Sequence, residues 1–352
     1  MKTKGKIFLI FLLLLLLGIS AAGIWTYTQL QPPASSLSEE SIRFEVAKGD
    51  SVKKIASELK KLELIKNENF FYYFVRKPSL LKIFFKDQAI SEQIVLKSGI
   101  YHLKAGMNYA QIINELTSGQ QEYIKVSIPE GKTITQTALI LEENGICSAE
   151  EFKGLCYDTN ILRAYHIAGE SAEGFLFPDT YFLTAGMTAR DVLTLMLDNF
   201  FTKVKDIPGF SDLEPQKMYE TVILASIVER EYRVADEAPL IASVFTNRLN
   251  QNIGLYSCAT IVYILTEIEG RPHPDRILLE DTKIDSPYNT YKWAGLTPGP
   301  ISNPGLVALK AAANPPKTNY YFFQVADANE GRHVFTTTFD EHKASHNLST
   351  KN

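Results

Sequence analysis

A glutamate placed where an apolar helix runs out is the residue of this chain best suited to proton transfer. Residues 221–228, Thr-Val-Ile-Leu-Ala-Ser-Ile-Val, are apolar on nearly every side, so a helix there belongs inside a core. It runs straight into Glu229, Arg230 and Glu231. Burial disfavours the charged form of a carboxylate, and the negative end of a helix dipole acts in the same direction. A glutamate kept partly protonated near neutral pH is what a general acid requires. A plainer reading fits the same residues: they mark the point where the helix meets water. Glu231, two positions on, faces elsewhere on a helix and reads as a solvated partner of Arg230.

Several elements must position that carboxyl. The chain has 352 residues, enough for two or three domains, and 45 % of them are hydrophobic,. The formal net charge is −4, and no basic run interleaved with aromatics is present, which argues against nucleic acid as a partner. The six histidines are scattered and lack metal-ligand spacing, so neither a metal nor another cofactor is expected. Cys147, Cys156 and Cys258 are too few for a disulfide framework,. Cys147 and Cys156 are read either as an extracytoplasmic pair or as small buried hydrophobes. Residues 7–27 carry no charge, and such a stretch makes roughly 30 Å of helix, the thickness of a bilayer core. Lys2, Lys4 and Lys6 precede it, and no Lys or Arg follows before Arg43. A retained membrane helix over 7–27 is therefore expected, with residues 1–6 cytoplasmic and the rest outside. Trp25 and Tyr27 suit the outer interface. Ser20, Ala21 and Ala22 would also serve a signal-peptide cleavage site,.

Residues 28–41, with Gln31-Pro-Pro-Ala-Ser-Ser36, read as a linker,. A motif then recurs. Val46, Leu103 and Ile128 each stand three residues before a glycine, at 49, 106 and 131. Each copy reads as strand, glycine turn, capping residue and amphipathic helix. Uneven spacing excludes a solenoid. Longer helices follow, expected over 135–144, 149–155, 189–203, 215–232 and 239–250, with short strands over 320–325 and 333–335. The fold expected is α+β.

Beyond Glu229 come Pro239-Leu-Ile-Ala-Ser-Val-Phe-Thr-Asn-Arg-Leu249, Ser286-Pro-Tyr-Asn-Thr-Tyr291, Gly295-Leu-Thr-Pro-Gly-Pro-Ile301, Pro304-Gly305, Asn314-Pro315, Tyr320-Tyr-Phe-Phe323 and His333-Val-Phe335. Upstream lies Glu173-Gly-Phe-Leu-Phe-Pro-Asp-Thr-Tyr181. This series, in this order, resembles the MltG (YceG-like) family of endolytic murein transglycosylases, over nearly the whole chain. The resemblance implies a LysM-like subdomain, placed at 42–127, a catalytic domain at 128–345 and a tail at 346–352. The LysM-like part would either bind glycan or only position the catalytic domain. The resemblance further implies cleavage of the β-1,4 bond between N-acetylmuramic acid and N-acetylglucosamine in nascent peptidoglycan strands at the cell membrane. Such cleavage leaves 1,6-anhydro ends, sets strand length and involves peptidoglycan synthases as partners. Cleavage of this kind needs one carboxyl group acting as acid and then base, whereas hydrolysis needs two at a set separation.

Glu229 matches the family's catalytic glutamate. Glu173 lies in a family motif and reads as lining the cleft or as capping its own segment. Tyr288, Asn289 and Tyr291 offer hydroxyl, amide and aromatic groups to a glycan, although their segment also serves as a plain turn. Thr260 and Tyr263 are kept from a family segment that departs at two positions: Tyr256 and Cys258 stand where the family has Gln and Asp. A hydrolytic muramidase and a catalytically silent glycan-binding scaffold are the rival readings.

Overall fold

The computed structural model describes residues 2–33, 41–47, 49–118, 123–184, 187–327 and 330–349. Half of the expected linker, residues 34–40, lies outside them. The chain divides into two compact units, Met1–Ile124 with Thr184–Met187, and Lys125–Leu183 with Thr188–Asn352.

In the first unit, α1 (Lys2–Leu30) is followed by β1 (Ser41–Val46), α2 (Val52–Lys61), α3 (Glu68–Arg76), α4 (Pro78–Phe84), β2 (Gly99–Lys104) and α5 (Tyr109–Ser118). The second unit takes up β3 (Tyr123–Ser127) and then α6 (Ile134–Glu143), α7 (Ala149–Cys156), α8 (Thr159–Ala164), β4 (Thr180–Thr184), α9 (Ala189–Val204) and α10 (Pro215–Glu229). After them come α11 (Ala238–Asn250), α12 (Cys258–Tyr263), α13 (Leu306–Ala313), β5 (Phe322–Asp327), β6 (Arg332–Thr336) and α14 (Phe339–Ser349). Strands pair only in twos among the described residues: β1 with β2, β3 with β4, β5 with β6. The last helix reaches into the segment expected as a tail.

All three strand–glycine–helix copies are present. Gly49, Gly106 and Gly131 take the left-handed turn at φ of 88°, 94° and 73°. Ser51 and Thr133 cap the helices that follow, accepting from the N–H groups of Lys54 and Gln136,. In the first unit β1 and β2 are antiparallel, Phe44 opposite Tyr101. They cover a core that includes Leu59, Phe71, Leu81, Leu103, Ile112 and Leu116.

The apolar stretch expected to end at residue 27 belongs to a longer helix. Its span from Leu12 to Leu30 is long and apolar enough to cross a membrane, and its most apolar window has a mean hydropathy of 1.5 and is unburied. Its last turn belongs to the first unit's interior. Leu30 is buried, the Trp25 ring meets Phe70 at 6.2 Å, and Tyr109 donates to the Gln29 carbonyl at 3.4 Å.

The second unit is built round α10. Every residue from Thr221 to Val228 is buried, as its uniformly apolar sequence requires. Helix α13 lies against it and contributes Ala308, Ala311 and Ala312, small side chains that let two helix axes approach closely. Helices α9 and α11 supply Leu193, Met196, Phe200, Ile241 and Phe245. The three cysteines are free thiols, with Cys156 buried, so the reading of Cys147 and Cys156 as a pair is not realised.

Removal of residues 1–24 should release a soluble chain that melts as the whole protein does. Removal of residues 1–30 takes Leu30 out of the core and should cost about 2–5 kcal/mol. Thermal melting of the two truncations, followed by circular dichroism, distinguishes them. Equal melting temperatures would contradict the docking of the last turn of α1.

Candidate active site

Helix α10 stops at Glu229, three residues earlier than the sequence pattern suggested. The chain turns at once: the Arg230 N–H bonds to Ile227, and the N–H groups of Glu231 and Tyr232 both bond to Val228. This tight turn folds Tyr232 back over the helix end. Its hydroxyl donates to Glu229 Oε1 at 3.2 Å. The other carboxyl oxygen, Oε2, accepts the Gly305 N–H at 2.9 Å. Gly305 is the residue before α13, so the carboxyl lies between the negative end of one helix and the positive end of another. The helix-end contribution expected from α10 alone is thus opposed by α13.

A short loop, residues 301–305, is stapled to α10 and to two turns. The Ser226 hydroxyl, one turn before Glu229, donates to the Ile223 carbonyl at 2.7 Å and accepts the Ile301 N–H at 3.0 Å. Asn303 is the node. Its side-chain oxygen accepts the N–H groups of Gly174 and Leu176 at 2.8 and 3.0 Å. Its amide donates to the Lys132 carbonyl and to Glu173 Oε1 at 2.9 and 2.8 Å. Its backbone carbonyl accepts the Gly131 N–H at 2.9 Å.

Glu173 therefore stands at the start of α6, where both its oxygens accept the Ile134 N–H at 3.1 and 3.0 Å. It is 4 % exposed. Contact with a sugar is not what this side chain offers. It ties the 173–176 turn to α6 and Asn303. Burial, chiefly, pushes its carboxyl up to about 8, against the bonds from Ile134 and Asn303.

Burial also pushes the half-buried Glu229 up, to about 7, and a nearby negative charge, Glu130, adds to this. The Gly305 N–H, Tyr232 and Arg230 oppose it. Glu130 lies in the turn between β3 and α6. A Cβ added at Gly305 would stand 2.6 Å from Glu130 Cγ and 3.3 Å from its Oε1. Glu130 and Glu229 thus flank Gly305. The Arg230 guanidinium turns away to donate to the Gly131 carbonyl at 3.0 Å. Glu130 and Tyr232 had no signal in the sequence: one is 99 residues from Glu229, and the other reaches it only because the helix ends early.

The remaining expected residues have other partners. Asn289 is fully buried and its amide donates to the carbonyls of Thr282 and Ile284 at 3.0 and 2.7 Å. Thr260, also fully buried, bonds to the Ser257 carbonyl and the Thr290 hydroxyl at 2.8 and 3.0 Å. Both hold the 282–291 loop together and present no polar group to a ligand. The Tyr288 ring meets that of Tyr263 at 5.1 Å, tilted by 33°. The Tyr291 hydroxyl lies 3.0 Å from Cys258 Sγ, and its ring meets Tyr256 at 5.7 Å. These two tyrosines are half-buried and keep part of their surface outward.

Glu231 departs from expectation as well. It accepts a very short hydrogen bond from Ser257, and burial pushes its carboxyl up. It lines a cavity of about 340 Å³ with Arg248, Tyr256 and Cys258. Two side chains so close in sequence part because the turn after Glu229 points them to opposite sides. Among the described residues no group of three or more His, Cys, Asp or Glu could hold a metal ion.

The profile of the YceG-like family matches residues 44–347. An endolytic murein transglycosylase of Bacillus subtilis (strain 168) is 32 % identical over 341 residues, covering 92 % of this chain and 89 % of that protein. One from Streptococcus pneumoniae serotype 2 is 28 % identical over 368 residues and covers 96 % of this chain, which spans 64 % of the pneumococcal protein. The crystal structure of a yceG-like protein of Listeria monocytogenes aligns with a TM-score of 0.56 at 27 % identity, over 87 % of this chain and 99 % of that one. The chain belongs to the YceG-like family.

Two carboxyls raised above the ordinary value of about 4.3 make stability depend on pH. The folded state keeps protons that the unfolded chain has released, so stability should fall as pH rises between about 4.5 and 8. Glu173 is the larger contributor. Between pH 5 and 8 the wild type should lose roughly 2–4 kcal/mol more than Glu173→Gln. Urea unfolding of both proteins at the two pH values measures this. Parallel losses would show that Glu173 is not protonated in the fold.

Proposed function

We propose that this member of the YceG-like family is a membrane-anchored endolytic peptidoglycan transglycosylase in which Glu229 is the acid and then the base. The Glu229 carboxyl gives its proton to the glycosidic oxygen as the C1–O bond of N-acetylmuramic acid breaks. The resulting carboxylate takes the proton of the muramyl C6 hydroxyl, whose oxygen closes on C1. The products are a free hydroxyl on N-acetylglucosamine and a 1,6-anhydro ring, and no water is consumed. The nucleophile belongs to the same sugar, so proximity does the work of an activated water.

The observation that carries this reading is the state of the Glu229 carboxyl. It is half-buried, bonded on both oxygens and raised to about 7. That value lets one group be acid and base in turn near neutral pH. Tyr288 and Tyr291 are assigned to the glycan, their outward surfaces suited to sugar rings. Glu173, Thr260 and Asn289 are assigned a supporting role.

In this reading α1 crosses the cell membrane with the N-terminus inside, which Lys2, Lys4 and Lys6 favour, and holds the catalytic unit near newly made strands and their synthases. The order β1, α2, α3, α4, β2 supports a LysM-like character for the first unit, with one helix more than the strand–helix–helix–strand plan. A second reading, hydrolysis, draws on one observation: Glu130 supplies a second carboxylate near Glu229.

Glu229→Gln should lower glycan cleavage by at least ~100-fold while leaving the melting temperature within a few degrees. Digestion of isolated glycan strands in ¹⁸O-labelled water, with mass analysis of the ends, tests the chemistry. Unlabelled 1,6-anhydro ends are expected. Reducing ends that carry the label would replace this reading with the hydrolytic one.

A further inference from the structure

Glu130 is a carboxylate that the reaction, as written, does not use. It is exposed, yet it packs on the one glycine whose N–H holds Glu229. A Cβ at position 305 would stand 2.6 Å from Glu130 Cγ, so glycine there is what lets both side chains approach. Taken through that residue, the contacts of 2.9 Å to Glu229 Oε2 and 3.3 Å from the Cβ position to Glu130 Oε1 put the carboxyl oxygens no more than about 9 Å apart. The Arg230 guanidinium donates to the Gly131 carbonyl at 3.0 Å and makes no hydrogen bond to Glu229.

We propose that Glu130 is a positioning residue for the reaction: its negative charge, held across Gly305, keeps the Glu229 carboxyl in the proton-bearing form that begins the cycle. This rests on the assignment of Glu229 as the acid. The groups that face Glu229 can be named for each element around it. From its own helix end comes Arg230, a positive charge that favours the anion. From the following turn comes the Tyr232 hydroxyl, and from the start of α13 the Gly305 N–H, both of which donate to it and favour the anion. From the β3–α6 turn comes Glu130, the charge that opposes them. Without it, three stabilising partners of the carboxylate would act against burial alone. The backbone of the turn that carries Glu130 is tied to Asn303 through Gly131 and Lys132.

Like charges at this separation, with solvent on one side, shift a titration by roughly half a unit to one unit. The test is the pH dependence of kcat/KM for cleavage of a defined glycan by the full chain in detergent, for wild type, Glu130→Gln, Glu130→Asp and Glu130→Lys, with Glu229→Gln as control. The alkaline limb should move to lower pH by about 0.5–1 unit in Glu130→Gln, and further in Glu130→Lys, which reverses the charge. It should return toward the wild-type position in Glu130→Asp. At pH 8 the Gln variant should then be about three- to tenfold slower than at its acid plateau, relative to wild type. A packing role would lower rates without moving the limb. Coincident limbs in wild type, Gln and Lys variants overturn the inference while leaving the assignment of Glu229 intact. A Glu229→Gln enzyme that still cleaves takes down both.

Discussion

A carboxylic acid half-buried where one helix ends and another begins is the constraint on which the site depends. Burying an ionised carboxylate without compensation is too costly to sustain, so a buried glutamate takes up its proton or finds donors. Glu229 does part of each. The Gly305 N–H and the Tyr232 hydroxyl bond its two oxygens, while burial pushes its carboxyl up to about 7. A group in that balance can give and recover a proton at little cost in either direction, which one-carboxyl chemistry demands.

The rest of the second unit maintains that balance. From Thr221 to Val228 helix α10 is apolar on nearly every side and buried, and its end is carried to the wall of the core. The small side chains of α13 allow that helix close enough for Gly305 to reach the carboxyl. Asn303 holds the turns at 131 and 174 and the loop at 301–305 in one hydrogen-bonded group. Glu173, itself buried, closes that group at the start of α6. Losing any partner of a buried polar set leaves others unpaired, at about 1–3 kcal/mol each.

The placement of Glu229 at a buried helix end was legible in the sequence, because an unbroken apolar run followed by charge states its own burial. The three strand–glycine–helix copies were legible for a similar reason: each carries its turn and cap within a dozen residues. The supporting cast was not. Asn289 and Thr260 have the same polar groups as a sugar-binding residue, and only their full burial and internal partners reveal them as loop staples. Glu173 sits in a motif that looks like a cleft wall and is instead a helix cap. Glu130 lies far from Glu229 in the chain, and Tyr232 was expected inside a helix that stops before it. Contacts made by a turn or across a long loop leave no local pattern to read.

The protonation state of Glu229 can be observed without reference to any rate. Glutamate labelled with ¹³C at the carboxyl carbon gives a resonance that moves with ionisation, and comparison with Glu229→Gln assigns it. Its titration midpoint in the folded protein should lie near 7. A midpoint near the ordinary value of about 4.3 would mean that the carboxyl is well hydrated and ionised throughout the neutral range, and the account of a single acid–base group at the end of α10 would be wrong.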